Sequence, residues 1–187
     1  MKGFLLLLVA FLSYIGVREF SGNETAAKVV AFLILVVAPV LARLQIPLSR
    51  RELETLRKKA DAGDAEAMFN LGVHHSKSKL PNDNALAVSW YRKAADAGNA
   101  VAMYNLGVHY ANGQCGLPKE EGQAVVWYRK AVESGNASAM NNLGLMYENG
   151  QGGLPKDHAI AVSFYRSAAL AGNELAKVNL KRIGKTL

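Results

Sequence analysis

Three of the four histidines lie close together in the sequence and invite a search for a metal site. His74 and His75 are adjacent, and His109 follows 35 residues after His74. Imidazole nitrogens are common zinc ligands, but a zinc site takes four ligands, and no carboxylate or thiolate accompanies these histidines at a suitable spacing. We therefore expect the histidines to have packing and surface roles, with no metal and no cofactor.

Two short strings resemble parts of catalytic motifs. Ser76 and Lys79 form a Ser-x-x-Lys string, but the Ser-Asp-Asn and Lys-Thr-Gly partners that penicillin-recognising enzymes require are missing. Residues 184–186, Gly-Lys-Thr, imitate the end of a phosphate-binding loop, yet Asn179 stands where its first glycine belongs. The single cysteine, Cys115, excludes an intramolecular disulfide. The sequence thus predicts no catalytic residue and no enzyme.

These residues sit in a sequence that repeats itself. Residues 90–113 and 127–150 are identical at 16 of 24 positions. Glycines that anchor successive copies recur at spacings of 35, 37 and 37 residues, at Gly63, Gly98, Gly135 and Gly172. Self-similarity at this period indicates an array of stacked structural units.

Each copy is predicted to contain two helices. Small and apolar residues recur at i, i+3, i+4 and i+7 in two stretches of the second copy, which is the spacing of an apolar stripe on a helix. These residues are Met103, Leu106, Gly107 and Tyr110, and then Ala124, Trp127, Tyr128 and Ala131. We expect Trp127 to be a core residue. A helical hairpin cannot bury such a stripe alone, so the copies must stack.

The glycines, the aromatic pairs and a Leu-Pro loop agree in order and spacing in three copies. Over roughly residues 50–184 the chain resembles the Sel1-like repeat family, which is related to tetratricopeptide repeats. The resemblance implies an all-α, right-handed α-solenoid of helical hairpins whose concave face binds other proteins, and it does not imply catalysis. The expected divisions are a half-repeat cap at 49–62, repeats at 63–97, 98–134 and 135–171, and a capping helix at 172–187.

Two registers on the first helix of each copy differ from copy to copy and are our candidates for the partner-binding face. If the family superhelix holds, they line its concave side: Phe69, Tyr104, Asn141 and Val178 in one register, and Val73, Val108, Leu145 and Arg182 in the other. Asn141 argues for exposure, because a buried amide costs about 1–3 kcal/mol unless it is hydrogen-bonded. The alternative is that some of these residues contact neighbouring helices. A groove of this kind suits an extended or helical peptide with an apolar anchor.

The first 48 residues have a different composition. Residues 3–17 and 29–42 carry no charge. Each run spans about 21–23 Å as a helix, which is short of the roughly 30 Å hydrocarbon core, although flanking Lys and Arg side chains can extend it. We predict a membrane hairpin in residues 1–48, with two short transmembrane helices at about 3–17 and 26–48. A cleaved signal peptide and two buried core helices are the alternatives.

A basic cluster follows the second hydrophobic run and contributes to the net charge of +7. It comprises Arg43, Arg50, Arg51, Arg57, Lys58 and Lys59. Basic residues beside a membrane span favour the cytoplasmic side, so we expect the repeats at the inner face of a bacterial-type membrane, with a periplasmic location as the alternative. An ordinary solvated helix face is the other interpretation of the cluster. No basic stripe with interleaved aromatic residues follows it, so no nucleic-acid partner is expected.

Three function classes follow from these features. The leading hypothesis is a non-catalytic, membrane-tethered scaffold or adaptor that binds an unidentified protein partner, with no small-molecule substrate. The second is an immunity or inhibitor protein that neutralises a secreted bacterial toxin, a role that some members of the family fill. The third is a hydrolase, which the missing catalytic site disfavours.

The first prediction concerns topology. With both termini in the cytoplasm, a reporter enzyme that is active only in the periplasm should be inactive when it is fused after Leu187, because the basic cluster holds the repeats on the cytoplasmic side. Reporter activity in intact cells is the measurement. Strong activity would contradict the cytoplasmic scaffold and favour the immunity hypothesis.

Overall fold

The computed structural model describes residues 49–78 and 81–186. The two hydrophobic segments predicted in residues 1–48 lie outside the described residues, and so does Lys79. No helix in the described ranges is long and apolar enough to cross a membrane. The membrane hairpin therefore stays a prediction.

The described residues form eight α-helices that follow one another as stacked pairs. Helices α2 and α3, α4 and α5, and α6 and α7 make three hairpins, with α1 packed before them and α8 after them. The helices are α1 (Arg50–Asp61), α2 (Ala65–Ser76), α3 (Pro81–Asp96), α4 (Ala100–Asn112), α5 (Glu121–Glu133), α6 (Ala137–Asn149), α7 (His158–Leu170) and α8 (Glu174–Arg182). The prediction of an all-α solenoid of helical hairpins is confirmed.

The turns between hairpins follow from local sequence. A glycine with a positive φ closes each turn, as Gly98 does at +88° before α4, and this left-handed conformation is costly for a residue with a Cβ. The next residue caps the following helix, since the Asn99 side chain accepts a hydrogen bond from the Ala102 N–H. At the start of α1, Ser49 and Glu52 form the capping box that their spacing indicates.

Each hairpin is held together by a close contact between a glycine and a tyrosine. A Cβ placed on Gly107 of α4 would lie 2.5 Å from the ring of Tyr128 on α5, so only glycine allows the two helices this approach. The same contact joins α2 to α3 and α6 to α7, where a Cβ would lie 2.6 Å and 2.8 Å from the tyrosine, through Gly72 with Tyr91 and Gly144 with Tyr165. All three tyrosines are buried.

Contacts between hairpins use other side chains. Trp127, which we expect to be a core residue, packs against the core of the first and second hairpins and against that of the second and third, but it is only half-buried. It lies at the seam between repeats, where part of the indole remains open to solvent and Lys130 covers the ring at 4.4 Å. A hydrogen bond also crosses the seam before α4, from the Arg92 guanidinium to the Tyr110 hydroxyl at 2.9 Å.

The last described helix, α8, is less polar on its outer face than the terminal helix of a stacked array usually is. In α8, Lys181 stands where Gly144 stands in α6, so the close glycine contact cannot be repeated there. Leu175 and Val178 of this helix are 67 % and 62 % exposed. The outer side of α8 is thus apolar as well as basic.

The second prediction tests the glycine contact. Gly107→Ala should destabilise the fold by about 1–3 kcal/mol, because the added methyl overlaps a buried aromatic ring. Gly122→Ala in α5 is the matched control: its methyl would have only the Gly152 carbonyl oxygen near it, at 4.0 Å, and alanine favours a helix by about 0.5–1 kcal/mol over glycine. Denaturant unfolding of the full-length chain measures both. Equal stability of the two variants would contradict the proposed contact.

Candidate functional site

The first helices of the second and third hairpins border a groove with a volume of about 340 Å³. Helices α4, α5 and α6, together with the loops that follow α4 and α6, form its walls. Three of the residues expected on the partner-binding face line it, namely Tyr104, Val108 and Leu145. The structure therefore brings together parts of both predicted registers in one concave site.

The apolar wall of the groove is anchored to the core. The ring of Tyr104 lies 6.0 Å from the ring of Tyr128, and both Tyr104 and Val108 are half-buried against the core of the second and third hairpins. Leu145 is 40 % exposed. Leu145 is therefore an exposed apolar side chain beside two fixed side chains. Covering it with an apolar group of a ligand would stabilise the complex.

The polar wall consists mainly of amides and one ion pair. Asn142 faces the hydroxyl of Tyr128, and burial raises the pKa of that hydroxyl to about 12, so it stays a neutral group. Lys119 lies 3.7 Å from Glu121, whose carboxylate also accepts a hydrogen bond from the Gly152 N–H at 3.3 Å. The groove consequently offers hydrogen bonds without a net charge, which favours binding of an uncharged polar ligand.

Phe69 and Val73 occupy the equivalent places one repeat earlier. Both are half-buried and pack against the core of the first and second hairpins, with the Phe69 ring 5.9 Å from that of Tyr91. Neither residue lines the groove. Because Phe69 and Tyr104 both support core packing, replacing them with alanine should cost stability.

Asn141 does not belong to an exposed register. It is only 6 % exposed, and its side-chain oxygen accepts a hydrogen bond from the Asn179 amide at 2.9 Å. Because the amide oxygen is hydrogen-bonded, burying it avoids the free-energy cost of an unpaired buried amide. The expectation of exposure is therefore wrong at Asn141. Val178, in the same register, is exposed on α8 and lies outside the groove.

Arg182 is committed to an internal ion pair. Its guanidinium donates to both carboxylate oxygens of Glu148, at 2.8 Å and 2.7 Å, and the Tyr165 hydroxyl donates to the same carboxylate at 2.6 Å. These bonds, led by the one from Arg182, lower the pKa of Glu148 to about 2. Arg182, a candidate for the partner-binding face, does not line the groove, and through this ion pair it fixes α8 to α6.

Sequence reasoning missed two polar residues of this region. Glu148 is an acidic residue in the place where the other copies have Ser76 and Ala111, and that departure from the repeat was a usable signal. Asn142 precedes Leu143 just as an asparagine precedes the equivalent leucine in every other copy, so its regularity hid it among the core positions.

The histidines have separate neighbours. His75 is buried with its Nδ1 atom 3.2 Å from a carboxylate oxygen of Asp83, whereas the Nε2 atom of His109 lies 3.8 Å from the Cys115 sulfur. Burial lowers the pKa of His109 and also that of His74. No group of three or more His, Cys, Asp or Glu residues that could hold a metal ion occurs in the part of the chain that the structure describes.

The two motif-like strings have structural roles. The Ser76 hydroxyl donates to the Val73 carbonyl at 3.0 Å and accepts from the Tyr91 hydroxyl at 3.2 Å, so it is occupied by internal hydrogen bonds. After α8, the Lys185 N–H bonds to the Leu180 carbonyl, which closes the helix.

The basic cluster is largely on α1. Arg43 lies outside the described residues, and the other five side chains are exposed on the helix, namely Arg50, Arg51, Arg57, Lys58 and Lys59. Arg50 is also 3.4 Å from Glu54, an exposed pair that contributes little to stability. These five side chains are thus accessible to solvent.

The comparisons with known proteins agree with this architecture. The model of the Sel1 repeat family matches residues 65–99, 100–136 and 137–173. A protective antigen of uropathogenic Escherichia coli, c5321, which displays an SLR fold, is 36 % identical over 72 % of this chain and 30 % of its own, with a TM-score of 0.65. A Sel1 repeat protein from Oxalobacter formigenes is 30 % identical over 71 % of this chain and 54 % of its own, with a TM-score of 0.66.

Cysteine rich protein B of Helicobacter pylori shares the fold at 20 % identity, over 66 % of this chain and 93 % of its own, with a TM-score of 0.50. The present chain covers less than two thirds of the first two structures. No curated protein is significantly similar to it.

The third prediction concerns the ion pair between α6 and α8. Arg182→Met should destabilise the fold by about 1–3 kcal/mol, because it leaves the Glu148 carboxylate buried with fewer hydrogen bonds. Lys177→Met is the matched control, since Lys177 pairs with the exposed Glu174. Denaturant unfolding near neutral pH measures both, and equal losses would contradict the buried pair.

The fourth prediction is the pH dependence of the same contact. The folded-state pKa of Glu148, about 2, lies below the ordinary value of 4.5. Its ionisation therefore stabilises the fold above 4.5, and this contribution is lost as the pH falls towards 2. The stability difference between the wild type and Glu148→Gln should shrink over that interval. A difference that is independent of pH would contradict the lowered pKa.

Proposed function

The chain belongs to the Sel1 repeat family, whose members are protein-interaction scaffolds, and we propose that it binds a segment of a partner protein in the groove between α4, α5 and α6. The exposed Leu145 inside that groove carries this proposal. In the stacked hairpins of this fold, Leu145 stays exposed to solvent beside the half-buried Tyr104 and Val108.

The groove is suited to binding. The family is generally of the non-catalytic scaffold type, and the groove lining offers aromatic rings, amides and one ion pair. Clefts of about 300–1,000 Å³ that combine apolar walls with a few polar groups are typical ligand sites, and this groove lies at the lower end of that range. A single short peptide segment would therefore be its natural occupant.

The membrane tether is a further part of the proposal. The uncharged runs at 3–17 and 29–42, followed by the basic cluster that continues onto the exposed face of α1, support an anchor at the inner face of a bacterial-type membrane. In this arrangement the repeats face the cytoplasm and gather a protein partner beside the membrane.

The fifth prediction tests the groove. Peptides are selected from a displayed random library on the full-length chain in detergent micelles, and their affinities are measured by fluorescence anisotropy. Leu145→Gln should weaken binding about tenfold or more, because a polar amide replaces the apolar contact. Val126→Gln is the matched control, since Val126 is 47 % exposed on α5 but does not line the groove.

Thermal unfolding of both variants should match that of the wild type, because both residues are exposed. The proposed function would be wrong if no peptide were selected, or if the selected peptides bound Leu145→Gln as tightly as the wild type.

A further inference from the structure

We propose that the outer side of α8 is a second docking surface, and that it binds an acidic amphipathic helix of a partner protein. This surface, the α8 face, consists of Leu175, Val178, Lys181 and Lys185, all of which are exposed. The proposal goes beyond the groove and does not depend on it. It rests on the position of α8 in the stack, on the exposed apolar side chains and on the unpaired charges beside them.

Successive first helices of the hairpins lie against one another in the array. Helix α8 covers α6 in this way: the Asn179 amide donates to the Asn141 side-chain oxygen at 2.9 Å, and the Asn173 amide donates to the Ser138 hydroxyl at 3.3 Å. The N-cap side chain of α6 makes a similar contact with the backbone of α4, at 3.4 Å. Ser138 and Asn141 therefore mark the side of a first helix on which the next helix packs.

The equivalent side of α8 is apolar and exposed. Ser138 and Asn141 correspond, 37 residues later, to Leu175 and Val178. Asn141, which α8 covers, is 6 % exposed, whereas Val178 is 62 % exposed and Leu175 is 67 % exposed. Because this fold packs a helix on that side of α6, a helix can pack on the same side of α8 and remove both aliphatic side chains from water. The α8 face thus favours a helical ligand.

Basic side chains accompany the two apolar residues. Val178 and Lys181 are three residues apart, which makes them neighbours on the surface of a helix. Lys185 follows the turn that ends α8, where its N–H bonds to the Leu180 carbonyl. Among the described residues, no carboxylate forms an ion pair with Lys181 or Lys185. Acidic side chains on the ligand would supply these missing partners.

The other charges of α8 are already paired. Lys177 lies 2.7 Å from Glu174, and Arg182 is bound to Glu148. A second copy of the chain would bring the basic α8 face against an identical basic surface, and like charges that meet at an interface are unfavourable. The charge pattern therefore favours an acidic helix of another protein over a second copy.

The test is a selection on the full-length chain in detergent micelles. The displayed library consists of helical peptides with leucine at i, i+3, i+4 and i+7 and random residues elsewhere. Selected peptides should be enriched in Asp and Glu beside the leucines. Their affinities, measured by fluorescence anisotropy, should fall as the salt concentration rises, because salt screens exposed charges.

Variants of the chain locate the bound peptide. Val178→Gln and Lys181→Glu should each weaken binding about tenfold, because the first removes an apolar contact and the second reverses a complementary charge. Val126→Gln and Lys59→Glu are the matched controls, since both residues are exposed on other helices, and they should leave the affinity unchanged. Leu145→Gln should also leave it unchanged. All five replaced residues are exposed, and thermal unfolding verifies that each variant is folded.

The contradicting outcomes are distinct from a failure of the groove. The proposal is overturned if no helical peptide is selected, if the selected peptides show no acidic enrichment, or if Val178→Gln binds them as tightly as the wild type. Binding that is lost in Leu145→Gln alone would overturn it and assign the peptides to the groove. A wild type that is dimeric by light scattering, together with a monomeric Val178→Gln, would also overturn it, because a second copy then covers the α8 face.

Discussion

The contact between a glycine and a tyrosine in each hairpin is the constraint on which the other features depend. Gly72, Gly107 and Gly144 let the ring of the following helix occupy the space of a missing Cβ. Close approach of the two helices explains why alanines fill so much of the core, since larger residues would separate the backbones. It also fixes each tyrosine ring, so that its hydroxyl lies at a defined place.

The side chain next to the tyrosine hydroxyl differs from repeat to repeat, and this difference distinguishes the repeats from one another. Tyr91 bonds to Ser76, Tyr128 faces Asn142 in the groove, and Tyr165 bonds to the buried carboxylate of Glu148. In the third case Arg182 also binds Glu148, which attaches α8 to α6. The same packing contact thus serves three purposes in the three hairpins: an internal hydrogen bond, one wall of the candidate groove and the attachment of α8.

The repeated contacts could be predicted from the sequence, whereas the contacts unique to one repeat could not. The repeat period and the positions of Gly107 and Tyr128 are enough to predict the hairpins, because the same helical spacing occurs in every copy. The surroundings of Asn141 and Arg182 could not be predicted, because their partners, Asn179 and Glu148, lie 38 and 34 residues away, and the periodicity of a single helix does not reveal contacts at that separation. Tyr104 was judged an exposed residue, but it is half-buried because the neighbouring helix covers one side of its ring. Only the apolar side of the groove could be predicted from the sequence.

We propose that the groove between the second and third hairpins is where the scaffold binds its partner. Hydrogen–deuterium exchange of the full-length chain, with and without a saturating selected peptide, tests it most directly, because bound ligand slows local opening of the helices it contacts. Binding in the groove should slow exchange in α4 and α6 and leave exchange in α1 and α8 unchanged. Protection confined to α1 or to α8, with none in α4 and α6, would contradict it.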